Sequence, residues 1–470
     1  MSTTDSEQTE LLVIGAGPGG YPAAIRAAQH GVGVTLVEKD AYGGTCLNYG
    51  CIPSKALIST TKMADQVSSA EQRGIDASVS TDLQRMVEWK AGVVGRLTDG
   101  VETLCRMNGV DLVDGRAEFV DDGEVRIIDR PSDEPTHLQF ENAIVSTGSR
   151  PMALPGFDFD DDPIMSSREA LAVTELPEQL LVIGAGYIGM ELSTVFARLG
   201  SDVTVVEMLD DVLPGYEDDI SQIVRDRAET LGIDFHFGEA AQGWTDTNDG
   251  VRVETETEAG TISEYDADRV LVSIGREPVS DTLGLSALDI DVDDRGYIDT
   301  DKYGQSSVPS VHAVGDVAGE PMLAHAATKE GIVAAETIAG EPYDPDDWIV
   351  PSAVFTDPEI ATVGMTEAEA EEIGFAPVVG KMPFNASGRA MTLGDTEGFV
   401  RLVATSDGGL LGAQIVGPEA SELVAELTFA VKHRHSLEDI ARTIHVHPTL
   451  SETVMEAAEN ALGQAIHTSN

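Results

Sequence analysis

The 470-residue chain carries 82 acidic against 29 basic residues, a formal charge of −53. A field of that sign repels nucleic acid and anionic membrane, which excludes both as partners. Three cysteines in this length exclude a secreted disulfide framework.

The length suffices for two to four domains. An apolar content of 42% with 47 glycines predicts an α/β protein with many tight turns. The acids are spread along the chain, and only eight of the basic residues are Lys. An acid-rich, Lys-poor surface is one way to stay folded in concentrated salt, where self-repulsion is screened. The composition therefore predicts a halophilic source. Met1 to Glu10 lacks the basic-then-apolar pattern of a signal peptide, and no apolar run approaches 18 residues. The expected location is the cytoplasm.

The first elements are a short apolar run, Leu11-Leu12-Val13-Ile14, then Gly15-Ala16-Gly17-Pro18-Gly19-Gly20, then a helix to Gly31. A second strand, Val34-Thr35-Leu36-Val37, ends at Glu38. Gly15, Gly17 and Gly20 permit a tight turn and let backbone N–H groups approach a pyrophosphate at the helix N-terminus. Glu38 is placed to accept from a ribose hydroxyl. A lone G-x-G-x-x-G is weak; strand, glycines, helix, strand and terminal acid together are strong.

Residues 43 to 55 follow, Gly-Gly-Thr-Cys-Leu-Asn-Tyr-Gly-Cys-Ile-Pro-Ser-Lys, with Cys46 and Cys51 five apart. On a straight helix five residues rise about 7.5 Å, more than a disulfide tolerates. Pairing requires a distorted helix, and Gly50 supplies the freedom. The spacing matches neither a metal motif nor a thioredoxin-type pair. Locally, a labile redox bridge and two unpaired cysteines both remain open. Cys105 reads as a small buried residue.

The nucleotide pattern then recurs. Leu180-Leu181-Val182-Ile183 precedes Gly184-Ala185-Gly186-Tyr187-Ile188-Gly189, a helix runs to Gly200, and Val203 to Val206 ends at Glu207. Glu38 follows Gly15 by 23 residues and Glu207 follows Gly184 by 23. Two such units imply two nucleotides that exchange electrons. Later strands ending at Gly148 and Gly275 close the two units. Pro151, Pro155 and the acidic stretch Asp158 to Asp162 mark a linker. Residues 308 to 319 read as a strand ending in an acid, Asp316, suited to a cofactor hydroxyl. Gly340 to Asp347 reads as the next boundary.

The last 123 residues hold strand-like runs at 398–403 and 410–416, then helices, and no glycine fingerprint. Their chemistry is concentrated in His445-Val446-His447-Pro448-Thr449-Leu450-Ser451-Glu452. A His with a carboxylate five residues on forms a base and its orienting acid if Pro448 turns the chain. A metal site at His445 and His447 lacks obvious further ligands.

The order of first fingerprint, G-G-T-C-x-N-x-G-C-x-P-S-K, second fingerprint, Val314-Gly315-Asp316 and H-P-T-x-S-E resembles the flavin-dependent pyridine nucleotide–disulfide oxidoreductases. Within them the pattern is most similar to the branch that oxidises dihydrolipoamide, and Gly19 to Ala28 follow that branch and not the glutathione one. The resemblance implies two Rossmann-like domains, the NAD unit (151–275) inserted in the FAD domain (1–150, with 276–347 as its central second segment). A C-terminal α+β dimerisation domain (348–470) completes an obligate homodimer.

It implies FAD on Gly15, Gly17, Gly20, Glu38, Lys55, Thr147, Gly148, Asp316 and Ala324, and NAD on Gly184, Gly186, Gly189, Glu207 and Gly275. It makes Cys46 the thiol that exchanges with substrate and Cys51 the thiol against the flavin. Lys55 and Glu191 match the pair near the reactive flavin nitrogen. His447 becomes the base, oriented by Glu452, both acting in the partner subunit's site. The implied partner is a lipoyl-bearing protein of a 2-oxoacid dehydrogenase-type or glycine-cleavage-type system. Reduction of another low-molecular-weight disulfide is the alternative, and a non-catalytic flavin-bearing assembly subunit a third. Met208-Leu209-Asp210-Asp211 after Glu207 offers no Arg for a 2′-phosphate, which favours NAD over NADP. Ala326 and Ser280 depart from the family's usual Lys and Asn.

Overall fold

The computed structural model describes residues 7–128, 135–159, 163–248, 250–345 and 348–469. Of the expected linkers, Asp160 to Asp162 and Asp346 to Asp347 lie outside the described residues, as do the first six residues. The chain divides into two compact units. One comprises Met1–Leu154, Ser166–Glu175 and Ile274–Asp346; the other comprises Pro155–Met165, Leu176–Ser273 and Asp347–Asn470.

In the first unit the strand Glu7–Ile14 is flanked in parallel by Val34–Glu38 and Thr136–Val145. Asp111–Asp114 extends one side, Val311–Ala313 pairs with Thr136–Val145, and two antiparallel strands complete a seven-stranded sheet. Leu11, Leu12 and Val13 are fully buried. Both faces of this strand are covered, which is why its sequence is a continuous apolar run and not an alternation. Each such side chain contributes about 1.5–3 kcal/mol on burial. The helix Gly20–Gln29 buries Gly20, Ala23, Ala24 and Ala27, a spacing of three and four that puts its smallest residues on the sheet. Cys105 lies fully buried in the same core.

The expected strand over 308–319 is shorter. Val311–Ala313 is strand, and Gly315–Val317 is a 3-10 turn that carries Asp316. Gly315 at φ +72° leaves the strand conformation. Ser280 also has a structural account: its hydroxyl donates to the Gly296 carbonyl at 2.6 Å. Ala326 is buried in the helix Ala324–Ile338.

The second unit repeats the architecture. Gln179–Ile183 pairs in parallel with Asp202–Glu207 and with Arg269–Val272, in a five-stranded sheet. Its C-terminal part is a five-stranded antiparallel sheet, Ser352–Val354, Glu359–Gly364, Leu410–Gly417, Phe399–Ala404 and Val378–Pro383 in spatial order. The helices Ala420–Lys432 and Glu452–Ala461 bury Val424, Leu427, Val454 and Ala457 in the core of that sheet. No helix among the described residues is long and apolar enough to cross a membrane.

The charge of −53 opposes this compaction by self-repulsion. At molar salt the Debye length falls to about 3 Å, so repulsion between surface acids is largely removed. The melting temperature should therefore rise steadily with KCl over the molar range in a thermal melt; a flat or falling curve contradicts the halophilic reading.

Candidate active site

Both nucleotide turns are built alike. Gly15 has φ +98° and Gly184 φ +102°, a left-handed conformation that glycine adopts without penalty. A Cβ on Gly20 would lie 1.9 Å from the Gly15 carbonyl oxygen, and one on Gly189 2.1 Å from that of Gly184. Only glycine lets each helix start this close to its turn. Neither Gly20–Gln29 nor Tyr187–Leu199 has a side-chain cap at its N-terminus. Gly186 faces open space. The uncapped amides, their dipole and the bare glycine surface fit a dinucleotide pyrophosphate.

The terminal acids are matched as well. Glu38 accepts from the Ala16 amide at 2.6 Å and from Asp40 at 2.8 Å. Glu207 accepts from Ala185 at 2.7 Å and from Leu209 at 2.9 Å. Each carboxylate braces its own glycine turn, a role beyond ribose binding. Burial pushes the Glu38 carboxyl up, and the Ala16 and Asp40 amides pull part of that back. Asp211 pairs with Arg225 at 3.0 Å, so the guanidinium near the second turn is already engaged by a carboxylate.

The thiol segment packs onto the first turn. Gly43 and Gly44 have φ +91° and +59°. The Gly43 amide donates to the Ala16 carbonyl at 2.8 Å, and a Cβ on Gly44 would sit 2.6 Å from the Gly17 Cα. Glycine is needed at Gly44 for that approach, whereas a Cβ on Gly17 would meet the Gly44 Cα at an ordinary 3.9 Å.

The expected helix distortion takes the form of a break. Cys46 ends up in the short helix Gly44–Asn48 and Cys51 opens the long helix Cys51–Ser68. Between them Tyr49 has φ −136° and ψ 5°, and Gly50 φ −134° and ψ −111°, outside the helical region. The break closes the rise that a continuous helix would impose. Cys46 is partly buried and Cys51 exposed, and a hydrogen bond joins them. That bond, then burial and the charges of Cys51 and Asp316, push the Cys46 thiol far up, while Lys55 pulls it down. Lys55 lies one helical turn beyond Cys51.

Asp316 accepts from the Ser149 hydroxyl at 2.5 Å, and Arg276 donates to the same hydroxyl at 2.7 Å. The Thr147 hydroxyl donates to the Val279 carbonyl at 2.6 Å, and Gly148 turns at φ +69°. Ala324 opens a helix without a side-chain cap. Glu330 accepts from the Gly315 amide at 2.7 Å; burial pushes its carboxyl up, that amide pulls it down, and Asp316 adds to the rise. Ser149, Arg276 and Glu330 were not singled out in the sequence, and nothing local signals them. Gly275, at φ +138°, accepts from the Met152 amide through its carbonyl at 3.0 Å.

In the second unit Glu191 is buried and accepts from the Phe355 amide at 2.9 Å. His447 Nδ1 lies 3.0 Å from Glu452 Oε1, and the Thr449 amide donates to Glu452 Oε2 at 2.8 Å. Burial opposes ionisation of Glu452, but the Thr449 amide and His447 outweigh it and hold the carboxyl below its usual range. The His447 side chain is 81% exposed, with its Nε2 edge not used by the dyad. His445 instead bonds Glu426 at 2.9 Å and the Thr443 carbonyl at 3.0 Å. Among the described residues no group of three or more potential ligands could hold a metal.

Residues 9–331 match the family model of the pyridine nucleotide-disulphide oxidoreductases, and residues 350–458 match that family's dimerisation domain. The chain is 61% identical over 465 residues to the dihydrolipoyl dehydrogenase of Haloferax volcanii, covering 98% of each. It is 62% identical over 462 residues to dihydrolipoyl dehydrogenase 2 of Haloarcula marismortui, again covering 98% of each. Both organisms are halophilic archaea. Among solved structures, LpdA from Mycobacterium tuberculosis superposes with a TM-score of 0.88 at 27% identity, covering 96% of this chain and 99% of that one.

Proposed function

The chain belongs to the pyridine nucleotide-disulphide oxidoreductase family, and from that membership we propose how its own residues work. It is an enzyme that oxidises dihydrolipoamide to lipoamide with FAD and NAD+. The observation that carries the mechanism is the Cys46–Cys51 contact, with Lys55 one turn on, in a segment packed against the first glycine turn.

When bound, FAD supplies a two-electron acceptor and NAD+ the final sink for hydride. Gly15, Gly17, Gly20, Glu38, Lys55, Thr147, Gly148, Asp316 and Ala324 would hold FAD. Gly184, Gly186, Gly189, Glu207 and Gly275 would hold NAD. Glu191 joins Lys55 as the second member of the pair assigned near the flavin's reactive nitrogen.

In the oxidised pair, His447 takes a proton from a substrate thiol, and Glu452 holds the ring with Nδ1 turned away. The resulting thiolate attacks Cys46 Sγ; the Cys46–Cys51 bond breaks and Cys51 leaves as thiolate. The second substrate thiol then attacks the substrate sulfur bound to Cys46; its proton passes to the leaving Cys46, and the first proton stays on His447. Lipoamide is released and the electron pair remains on the two cysteines. Cys51, which has left as thiolate, is the sulfur suited to pass electrons on.

The dimerisation domain makes the enzyme a homodimer. Phe429, Ile444 and Val446 are 61%, 95% and 74% exposed in the single chain, apolar surface that suits a subunit interface. We assign His447 and Glu452 to the partner subunit's thiols on that basis, and residues 348–470 to the interface. The physiological substrate is a lipoyl group on a protein of a 2-oxoacid dehydrogenase-type or glycine-cleavage-type system, in the cytoplasm.

Steady-state kinetics test the reading. Dihydrolipoamide with NAD+ should turn over far better than glutathione disulfide or other small disulfides with NADH. Like charges brought together at a site cost several kcal/mol, so NAD+ should exceed NADP+ by about a hundredfold or more in kcat/KM. A preference for another disulfide replaces lipoamide as substrate. A preference for NADP+ removes the role given to Glu207 and Asp211.

A further inference from the structure

Tyr49 sits at the break between the two thiol-bearing helices, and its ring is gripped from outside. The Arg168 guanidinium carbon lies 3.6 Å from the ring centroid. Arg168 Nη1 also donates to Asp40 Oδ2 at 3.2 Å, and the Tyr49 hydroxyl donates to Asp40 Oδ1 at 3.2 Å. Asp40 is itself fixed, because its amide donates to Glu38. Arg168 belongs to the helix Ser167–Ala170, which Ser166 and Glu169 cap reciprocally; its Ala170 and the following Leu171 are buried. The Leu171 carbonyl accepts from Lys90. The three side chains thus join the glycine-turn acid, the hinge of the thiol segment and an anchored helix whose Arg168 is 119 residues from Tyr49 in sequence.

Such groups would be worth little as an isolated surface ion pair, since Arg168 and Asp40 are 51% and 42% exposed. Their effect lies in where they act. The break at Tyr49 and Gly50 sets the separation of Cys46 and Cys51, and Gly50 supplies no side chain to hold it. A guanidinium stacked on the ring resists rotation of that one residue, and contact stacking survives salt that screens the ion pair.

We propose that Arg168 is a positioning residue for the thiol pair: stacked on Tyr49 and tied to Asp40, it pins the hinge so that the two sulfurs stay within bonding reach. The pinned hinge favours the disulfide over the dithiol. The proposal rests on the relay assigned to Cys46 and Cys51. Closing the pair removes one proton from each thiol and two electrons in all, which oxidised dithiothreitol accepts to become the dithiol.

The test equilibrates the holoenzyme, in molar KCl, with mixtures of reduced and oxidised dithiothreitol. Alkylation and mass spectrometry then read the fraction of Cys46–Cys51 disulfide. In Arg168→Ala the equilibrium constant for closure should fall roughly three- to tenfold, tenfold being about 30 mV for a two-electron couple. Tyr49→Leu should fall as far, and the double variant no further, because either change removes the same stack. Arg168→Lys should recover only part, since it keeps the charge without the planar face. Flavin content should be unchanged throughout. Variants within twofold of the wild type, or a shift that appears only with flavin loss, overturn the clamp and leave the relay standing. A wild type that forms no Cys46–Cys51 disulfide overturns both.

Discussion

Replacing Cys46 by serine should leave a folded, yellow protein whose oxidation of dihydrolipoamide is slower by about a thousandfold or more. A hydroxyl of serine's size fits the partly buried site but forms no sulfur–sulfur bond, so the exchange step has no electrophile. Cys51→Ser should do the same for a different reason. It leaves Cys46 a lone thiol at the same oxidation level as the substrate thiols, so no sulfur–sulfur bond is there to be attacked and no electrons can be passed on. Flavin content should persist in both variants, because the cradle is made by Gly15, Gly20, Gly43 and Gly44 through backbone contacts. Cys105→Ser is the control. That residue is fully buried, and burial pushes its thiol up to about 11. Its replacement should cost some stability without touching the chemistry. Full activity of Cys46→Ser contradicts the relay outright.

His447→Gln should lower kcat by about 10²–10⁴, the usual worth of a positioned general base, with melting temperature and flavin content unchanged. The side chain is mostly exposed in the single chain and buries no core surface, so loss of activity cannot be attributed to unfolding. Glu452→Gln should cost less, about ten- to a hundredfold, as expected for a group that orients the ring. Because the folded Glu452 carboxyl lies below its usual range, its contribution to stability is present above the unfolded value and is lost only as pH falls toward the folded one. Glu452 therefore stays ionised at neutral pH, and melting at neutral pH should not vary with its titration. A His447→Gln enzyme with wild-type kcat removes the base assignment. Mixing Cys46→Ser with His447→Gln subunits tests the crossed dimer: the heterodimer should regain one complete site and part of the activity.

Much of this molecule is written in short stretches of chain. The two turns were legible because glycine spacing, an apolar strand before and an acid 23 residues on are all local signals, and the glycines are required by backbone contacts only a few residues apart. The His447–Glu452 pair was legible for the same reason, since five residues separate the partners. The thiol pair was half legible: the spacing demanded a distortion and Gly50 allowed one, but nothing local chose between a kink and a clean break. The strand around Asp316 was misjudged in extent because the apolar residues Val311, Ala313, Val314 and Val317 run past its end, and the left-handed turn at Gly315 ends it early.

By itself, the sequence determined the α/β class and the doubled nucleotide fold, because each depends on periodicity or turn chemistry within about 25 residues. Tertiary structure alone decided which groups hold those parts in place. Ser149 meets Asp316 across 167 residues, Arg168 meets Asp40 across 128, and Gly44 meets Gly17 only because two left-handed glycines fold one loop onto another. Sequence periodicity carries no information about such pairings, since they are fixed by the closing of the sheet and the packing of its helices.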